Sequence, residues 1–359
     1  MAKEYSFEAY AHPTLYSKIE RKYRIYFSAP DMGVNKDTGI LLFIAGFGGN
    51  ANSNIYKKMR NFFSDKYNLV TIQCDYFGYE FMQSPQNTIL NKFEIRRIED
   101  LHNIKIGHIG DFEKMSRLAK KYNFVIPLRE QLSETIDNYN EMGWLQAIDN
   151  VSAVLSVIEI INNNNYDFNE KKILAYGDSH GAYLCYLCNA ISPTLFSFIL
   201  DNSSWLFPAY LKSNRYVYQT VDDIKIVTEF EYLAKNIEYD YESMNISDLY
   251  MKFENKCNIL CYHGTNDSLI SHTHKKELCN IIKKYNYFEV NENMVDSVIF
   301  KNNMHGLGAD FIKLFEFTIQ NYDIFQKDYD YQNKNIEFVT RKNRFIIDYI
   351  DKIPKLSII

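Results

Sequence analysis

Short apolar runs alternate with helix-spaced amphipathic stretches along most of the chain. Residues 5–11, 22–29, 39–45 and 69–74 read as strands, with a helix at 55–63 between the last two. The strongest helical pattern covers 144–161. Its apolar residues Leu145, Ile148, Val151, Leu155 and Ile158 recur at spacings of three and four. Four asparagines, 162–165, end it. A strand at 172–176 runs into a helix at 182–190. Strands at 195–200 and 258–262, a helix at 274–285, a strand around 298–300 and an amphipathic helix at 310–325 complete the series. Strands alternating with helices predict an α/β fold, a mostly parallel central sheet with helices on both faces.

Two stretches break this rhythm. Residues 79–143 are mostly polar, with a charged cluster at Lys92-Phe93-Glu94-Ile95-Arg96-Arg97. Residues 206–253 are rich in aromatics, among them Phe207, Tyr210, Tyr216, Tyr218 and Phe230. Both read as insertions into one domain spanning 1–327. The second is expected to act as a cap, because aromatic side chains suit recognition of a sugar or acyl group. The charged tail, 328–359, is expected to pack on the same domain with a strand at 336–339 and a short helix.

Composition narrows the function classes. The 359 residues carry a net charge of -5, which is no nucleic-acid footprint. No run of 18 apolar residues predicts a membrane span, and the polar start Met1-Ala2-Lys3-Glu4-Tyr5 lacks a signal-peptide core. The six cysteines are scattered. Cys185-x-x-Cys188 has no second pair at ligand spacing, so buried free thiols are expected. These features together predict a cytoplasmic protein. His272 and His274 are two apart and share no helix face, so no metal site is expected there. His102 and His108 read as surface residues.

Glycine is the most informative residue type. Eight of the 14 glycines sit in four places, each after a strand-like run: Gly46, Gly48 and Gly49; Gly177 and Gly181; Gly264; Gly306 and Gly308. Strand ends are where open α/β sheets build their sites. Gly177-Asp178-Ser179-His180-Gly181 joins a strand to a helix. A serine at the tip of such a turn is strained and exposed, and the residues two before and two after it must be small. Ser179 is the candidate nucleophile. Its hydroxyl needs a base, and the base needs an orienting acid. His305, in a loop flanked by Gly306, is the candidate base. Asp267, in the loop after Gly264, is the candidate acid, with Asp201 as its competitor. The amides of Phe47, Gly48 and His180 are the candidate oxyanion donors. The loop Gly46-Phe47-Gly48-Gly49 matches neither a P-loop nor a dinucleotide fingerprint.

The order Ser179, Asp267, His305 resembles that of the α/β-hydrolase superfamily, over residues 20 to 325. His263-Gly264-Thr265-Asn266-Asp267 resembles the acid loop of its esterase, dienelactone-hydrolase and prolyl-oligopeptidase-like branches. Cys74-Asp75-Tyr76-Phe77-Gly78 is similar to the loop after the fourth strand of that fold. The whole-chain layout also resembles the bacterial DUF2920 type, some of whose members accompany flagellar glycosylation genes. Two departures stand out. Ala45-Gly46-Phe47 lacks the His-Gly of many relatives, and an acid, Asp178, precedes the serine. The resemblance implies a serine hydrolase that cleaves a carboxylic ester, such as an acylated sugar or glycoconjugate, with no metal or organic cofactor. An acyltransferase with the same triad, and a non-catalytic glycan-binding or scaffold protein on this fold, remain alternatives.

Overall fold

The computed structural model describes residues 1–15, 18–106, 112–322, 325–349 and 353–359, so His108 lies outside the described residues. The chain divides into two units. The first holds residues 1–79, 141–208 and 239–359, and the second 80–140 and 209–238.

The first unit is built on an eight-stranded sheet. Its order is Lys3–Ala11, Arg21–Ala29, Leu69–Cys74, Gly39–Ile44, Ile173–Asp178, Phe198–Asn202, Asn258–Gly264 and Tyr285–Val290. Arg21–Ala29 is antiparallel to both of its neighbours, and every other pairing is parallel. The central strands are buried on both faces, which is why they read as continuous apolar runs. One face packs Phe43, Tyr176, Phe198 and Tyr262 against Phe63 of helix Asn54–Tyr67 and Phe315 of helix Phe311–Asn321.

Helices Trp144–Asn163 and His180–Ile191 are almost wholly buried. Trp144–Asn163 is the one helix among the described residues long and apolar enough to cross a membrane, and 83% of its apolar window lies in the core. Its first turn has no side-chain cap from Gly143. Glu141 takes that place, accepting from the amides of Gly143, Trp144 and Leu145 at 3.0 Å each.

Several elements differ from the sequence reading. The helix expected at 274–285 ends early, as His272–Glu277 and a single 3₁₀ turn, and Tyr285–Val290 is the last parallel strand. Alternating polar residues disguise that edge strand. Residues 298–300 form no strand, because Asp296 Oδ1 captures the amides of Val298, Ile299 and Phe300 at 2.8–3.0 Å. The strand expected at 195–200 runs instead over Phe198–Asn202 and carries Asp201 and Asn202 inward. The tail has no helix among its described residues. Ile336–Val339, Arg344–Asp348 and Lys355–Ile358 make an antiparallel sheet, with Phe338 stacked on Phe345 and Trp144.

The second unit draws on both irregular stretches. Thr88–Leu90, Ile126–Glu130, Ile224–Phe230 and Arg215–Val221 form one four-stranded sheet. Helices Lys92–His102 and Phe112–Tyr122 supply Ile95, Met115 and Ala119 to a core with Ile126, Ile224 and Ile226. The sequence reading treated these stretches as two separate insertions. What joins them is the parallel pairing of Ile126–Glu130 with Ile224–Phe230, a long-range contact that local periodicity does not reveal.

Candidate active site

Strand Ile173–Asp178 passes directly into Ser179, which has φ 53° and ψ −118°, and then into helix His180–Ile191. Positive φ at a non-glycine residue costs conformational energy and marks a held position. The Ser179 amide donates to the Asn202 carbonyl at 2.8 Å. Both flanking glycines are needed for space. A Cβ on Gly177 would run into the backbone of Ala182, and one on Gly181 into the carbonyl oxygens of Ile44 and Ala45.

His305 sits in a tight loop before helix Phe311–Asn321. Gly306, Leu307 and Gly308 all have positive φ, and the amides of Lys301 and Asn302 both donate to the Leu307 carbonyl. His305 Nε2 lies 2.7 Å from Ser179 Oγ, and its Nδ1 lies 2.7 Å from Asp267 Oδ2. The Asp267 side chain is buried, and its Oδ1 accepts from the amides of Leu269 and Ile270 at 2.8 and 3.0 Å. Burial opposes its ionisation. The hydrogen bond and charge of His305, with the Ile270 amide, outweigh burial and hold the carboxyl below its ordinary range. The structure thus brings Ser179, His305 and Asp267 together.

Asp201 lies elsewhere. Its carboxylate is buried against Lys275 at 2.9 Å and accepts from Tyr186 Oη at 2.6 Å and the Ser204 amide at 2.7 Å. Burial pushes its pKa up, but Lys275 and these donors pull it below the ordinary value, so it stays ionised. His263 stands beside Asp267. Its Nε2 is 3.1 Å from the Ile270 carbonyl and 3.4 Å from Asp267 Oδ2. Burial, then the nearby Lys275 charge, lowers its pKa and favours a neutral ring.

Residues 46–49 make a turn closed by the Gly49 amide on the Gly46 carbonyl at 2.9 Å, with Gly48 at φ 89°. The Phe47 ring stacks on Trp205 at 5.4 Å and meets His180 edge-on at 5.5 Å, so two of the candidate donor residues are in contact beside Ser179. The loop carries no histidine. Buried Arg60 braces it, donating through Nη1 to the Ala51 carbonyl and to Gln73 Oε1, each at 2.6 Å. The His180 ring is buried among aromatics, and burial lowers its pKa to about 3 despite the nearby Met142 carbonyl.

Among the described residues, no three His, Cys, Asp or Glu side chains are grouped to hold a metal. All six cysteines are free, and only Cys279 is exposed. Motif reasoning missed Asn202, Lys275 and Arg60. None lies in a glycine-marked loop, and the partners of Asn202 and Lys275 are distant in sequence.

A strained serine elbow on a mostly parallel sheet, followed by acid and base loops in the order Ser179, Asp267, His305, defines an α/β-hydrolase. The chain belongs to the family described as Protein of unknown function (DUF2920), whose model matches residues 5–231, and to the prolyl oligopeptidase family, matched over 137–326. It is a hydrolase. Among solved structures it is similar to Pyrococcus horikoshii acylaminoacyl peptidase, at TM-score 0.52 and 10% identity, covering 92% of this chain and 42% of that one. An acylaminoacyl peptidase in complex with Z-Gly-Gly-Phe-chloromethyl ketone is similar at TM-score 0.51 and 9% identity, over 91% and 43%. Est1E from Butyrivibrio proteoclasticus with ferulic acid bound follows at TM-score 0.43 and 12% identity, over 82% and 92%. The chain therefore spans less than half the length of the two peptidases. No curated protein sequence matches it.

Proposed function

We propose that this hydrolase cleaves carboxylic esters through a Ser179–His305–Asp267 triad. The observation that carries this reading is the unbroken chain of 2.7 Å contacts from Asp267 Oδ2 through the His305 ring to Ser179 Oγ. Ser179 Oγ attacks the ester carbonyl while His305 Nε2 takes its proton. Ionised Asp267 holds the resulting imidazolium and fixes its orientation. The amides of Phe47 and His180 receive the oxyanion at the helix N-terminus. Collapse of the tetrahedral intermediate expels the alcohol, which takes its proton from Nε2 and leaves an acyl-enzyme. Water, activated by the same nitrogen, then releases the acid.

The substrate class we propose is an acylated sugar or glycoconjugate. The half-buried Phe47 ring beside the nucleophile, backed by buried Trp205, supports it, because an aromatic surface suits a sugar ring or an acyl group. A panel of acetylated sugars and simple aryl esters tests the reading with wild-type protein and Ser179→Ala. Turnover of acylated sugars that disappears in Ser179→Ala is the expected result. Turnover retained in the variant removes the triad. Acyl transfer to an added sugar hydroxyl in preference to water points to an acyltransferase.

A further inference from the structure

We infer that Asn202 and Asp178 form a positioning pair that holds His305 against Ser179, and that the Asp178 charge supports His305 as it takes the proton. This rests on the triad reading above and concerns how that site is held.

Asn202 ends strand Phe198–Asn202 and is fully buried. Its carbonyl accepts from the Ser179 amide at 2.8 Å. Its side-chain Nδ2 donates to Asp178 Oδ1 at 2.8 Å and to the Gly306 carbonyl at 3.2 Å. One residue thus touches the nucleophile's amide, the acid before the nucleophile and the residue after the base. The base loop meets the acid loop through other contacts. The Asn266 amide donates to the Asn303 carbonyl at 3.0 Å, and Asn303 Nδ2 donates to Thr265 Oγ1 at 3.1 Å. Loss of the Asn202 side chain therefore loosens histidine from serine while leaving histidine on its acid.

Asp178 lies between the two loops that must approach the serine. A Cβ on Gly46 would strike its carboxylate, and one on Gly306 would sit 3.6 Å from Oδ1. The titratable groups facing it are His305 from the base loop, Asp201 from the next strand, Tyr56 from helix Asn54–Tyr67 and Tyr176 on its own strand. Asp201 is already paired with Lys275. Of the facing groups, His305 alone can become a cation. Burial pushes the Asp178 pKa up to about 7, and His305 opposes that shift. An ionised Asp178 favours the imidazolium that forms as Ser179 attacks.

The test measures the rate of Ser179 labelling by a fluorophosphonate from pH 5 to 9, so it needs no natural substrate. Asn202→Ala should slow labelling by roughly 10- to 100-fold, within what a positioned base contributes. In a His305→Ala background it should have almost no further effect, whereas a general structural defect would slow both backgrounds alike. Asp178→Asn keeps the Oδ1 acceptor and the side-chain shape, so it stands as the second variant if Asn202→Ala does not fold. It should move the acid limb of the profile to lower pH by roughly half a unit or more. Labelling of Asn202→Ala at the wild-type rate, or an unchanged profile in Asp178→Asn, overturns the inference and leaves the triad standing. A folded wild-type protein that is never labelled removes the triad and this inference with it.

Discussion

Lys275→Met is the most demanding test of the structure beneath the site. Lys275 Nζ and Asp201 Oδ2 lie 2.9 Å apart with both side chains fully buried. Removing the cation leaves Asp201 to neutral donors, among them Tyr186 Oη, the Ser204 amide and Ser204 Oγ. An uncompensated buried charge costs about 3–5 kcal/mol, far more than a surface pair at about 0–1 kcal/mol. Methionine conserves most of the lysine's volume, so the loss reports charge and not a cavity. The pH dependence has a definite sign. The folded state depresses the Asp201 pKa, so the pair's stabilisation is present above the ordinary aspartate value, 3.8, and is lost as pH falls through the folded value. The deficit of Lys275→Met should therefore be full at pH 7 and shrink as the pH approaches 3. Urea unfolding followed by tryptophan fluorescence at several pH values measures it. Adding Asp201→Asn should recover part of the loss, because the stranded charge is then gone. A single variant within about 1 kcal/mol of wild type at pH 7 would refute the reasoning.

Other expectations follow from the same geometry. Asp267→Asn should lower kcat by about 10³–10⁴-fold with little change in KM, because the ring then loses the partner that orients it; steady-state kinetics on an aryl ester checks this. Gly181→Ala should destabilise by about 1–3 kcal/mol and slow acylation, since its methyl meets the Ile44 and Ala45 carbonyls at the base of the 46–49 loop; calorimetry and probe labelling read the two effects. Asp178→Asn should gain stability relative to wild type between pH 5 and pH 8. Burial raises the wild-type carboxyl to about 7 from 3.8, so its favourable contribution is present below 3.8 and lost as pH rises through 7; parallel thermal melts test the sign. Phe338→Ala should cost about 3–5 kcal/mol where the tail meets Trp144, and should speed proteolysis after residue 330.

What the sequence made legible follows from what its signals measure. Buried parallel strands are apolar runs, so 39–45, 69–74 and 172–176 were readable within a residue or two. Ser179, His305 and Asp267 were readable because glycine is scarce here and marks the loops that carry them. The sequence ranks Asp267 ahead of Asp201 but leaves Asp201 open, since both lie at the ends of neighbouring parallel strands. The edge strand Tyr285–Val290 was misread because a half-exposed strand mixes polar and apolar residues. The second unit escaped because its sheet pairs segments from two distant stretches. Asn202 escaped for a related reason. Nothing in Asp201-Asn202-Ser203 signals that its amide reaches both Asp178 and Gly306.

The most direct measurement treats purified protein with a fluorophosphonate probe, beside Ser179→Ala and His305→Ala, and locates the adduct by mass spectrometry. The account predicts a single adduct on Ser179, absent in Ser179→Ala and strongly slowed in His305→Ala. An adduct on another residue, or a folded protein that takes no label, would contradict it and favour a binding protein built on a hydrolase fold.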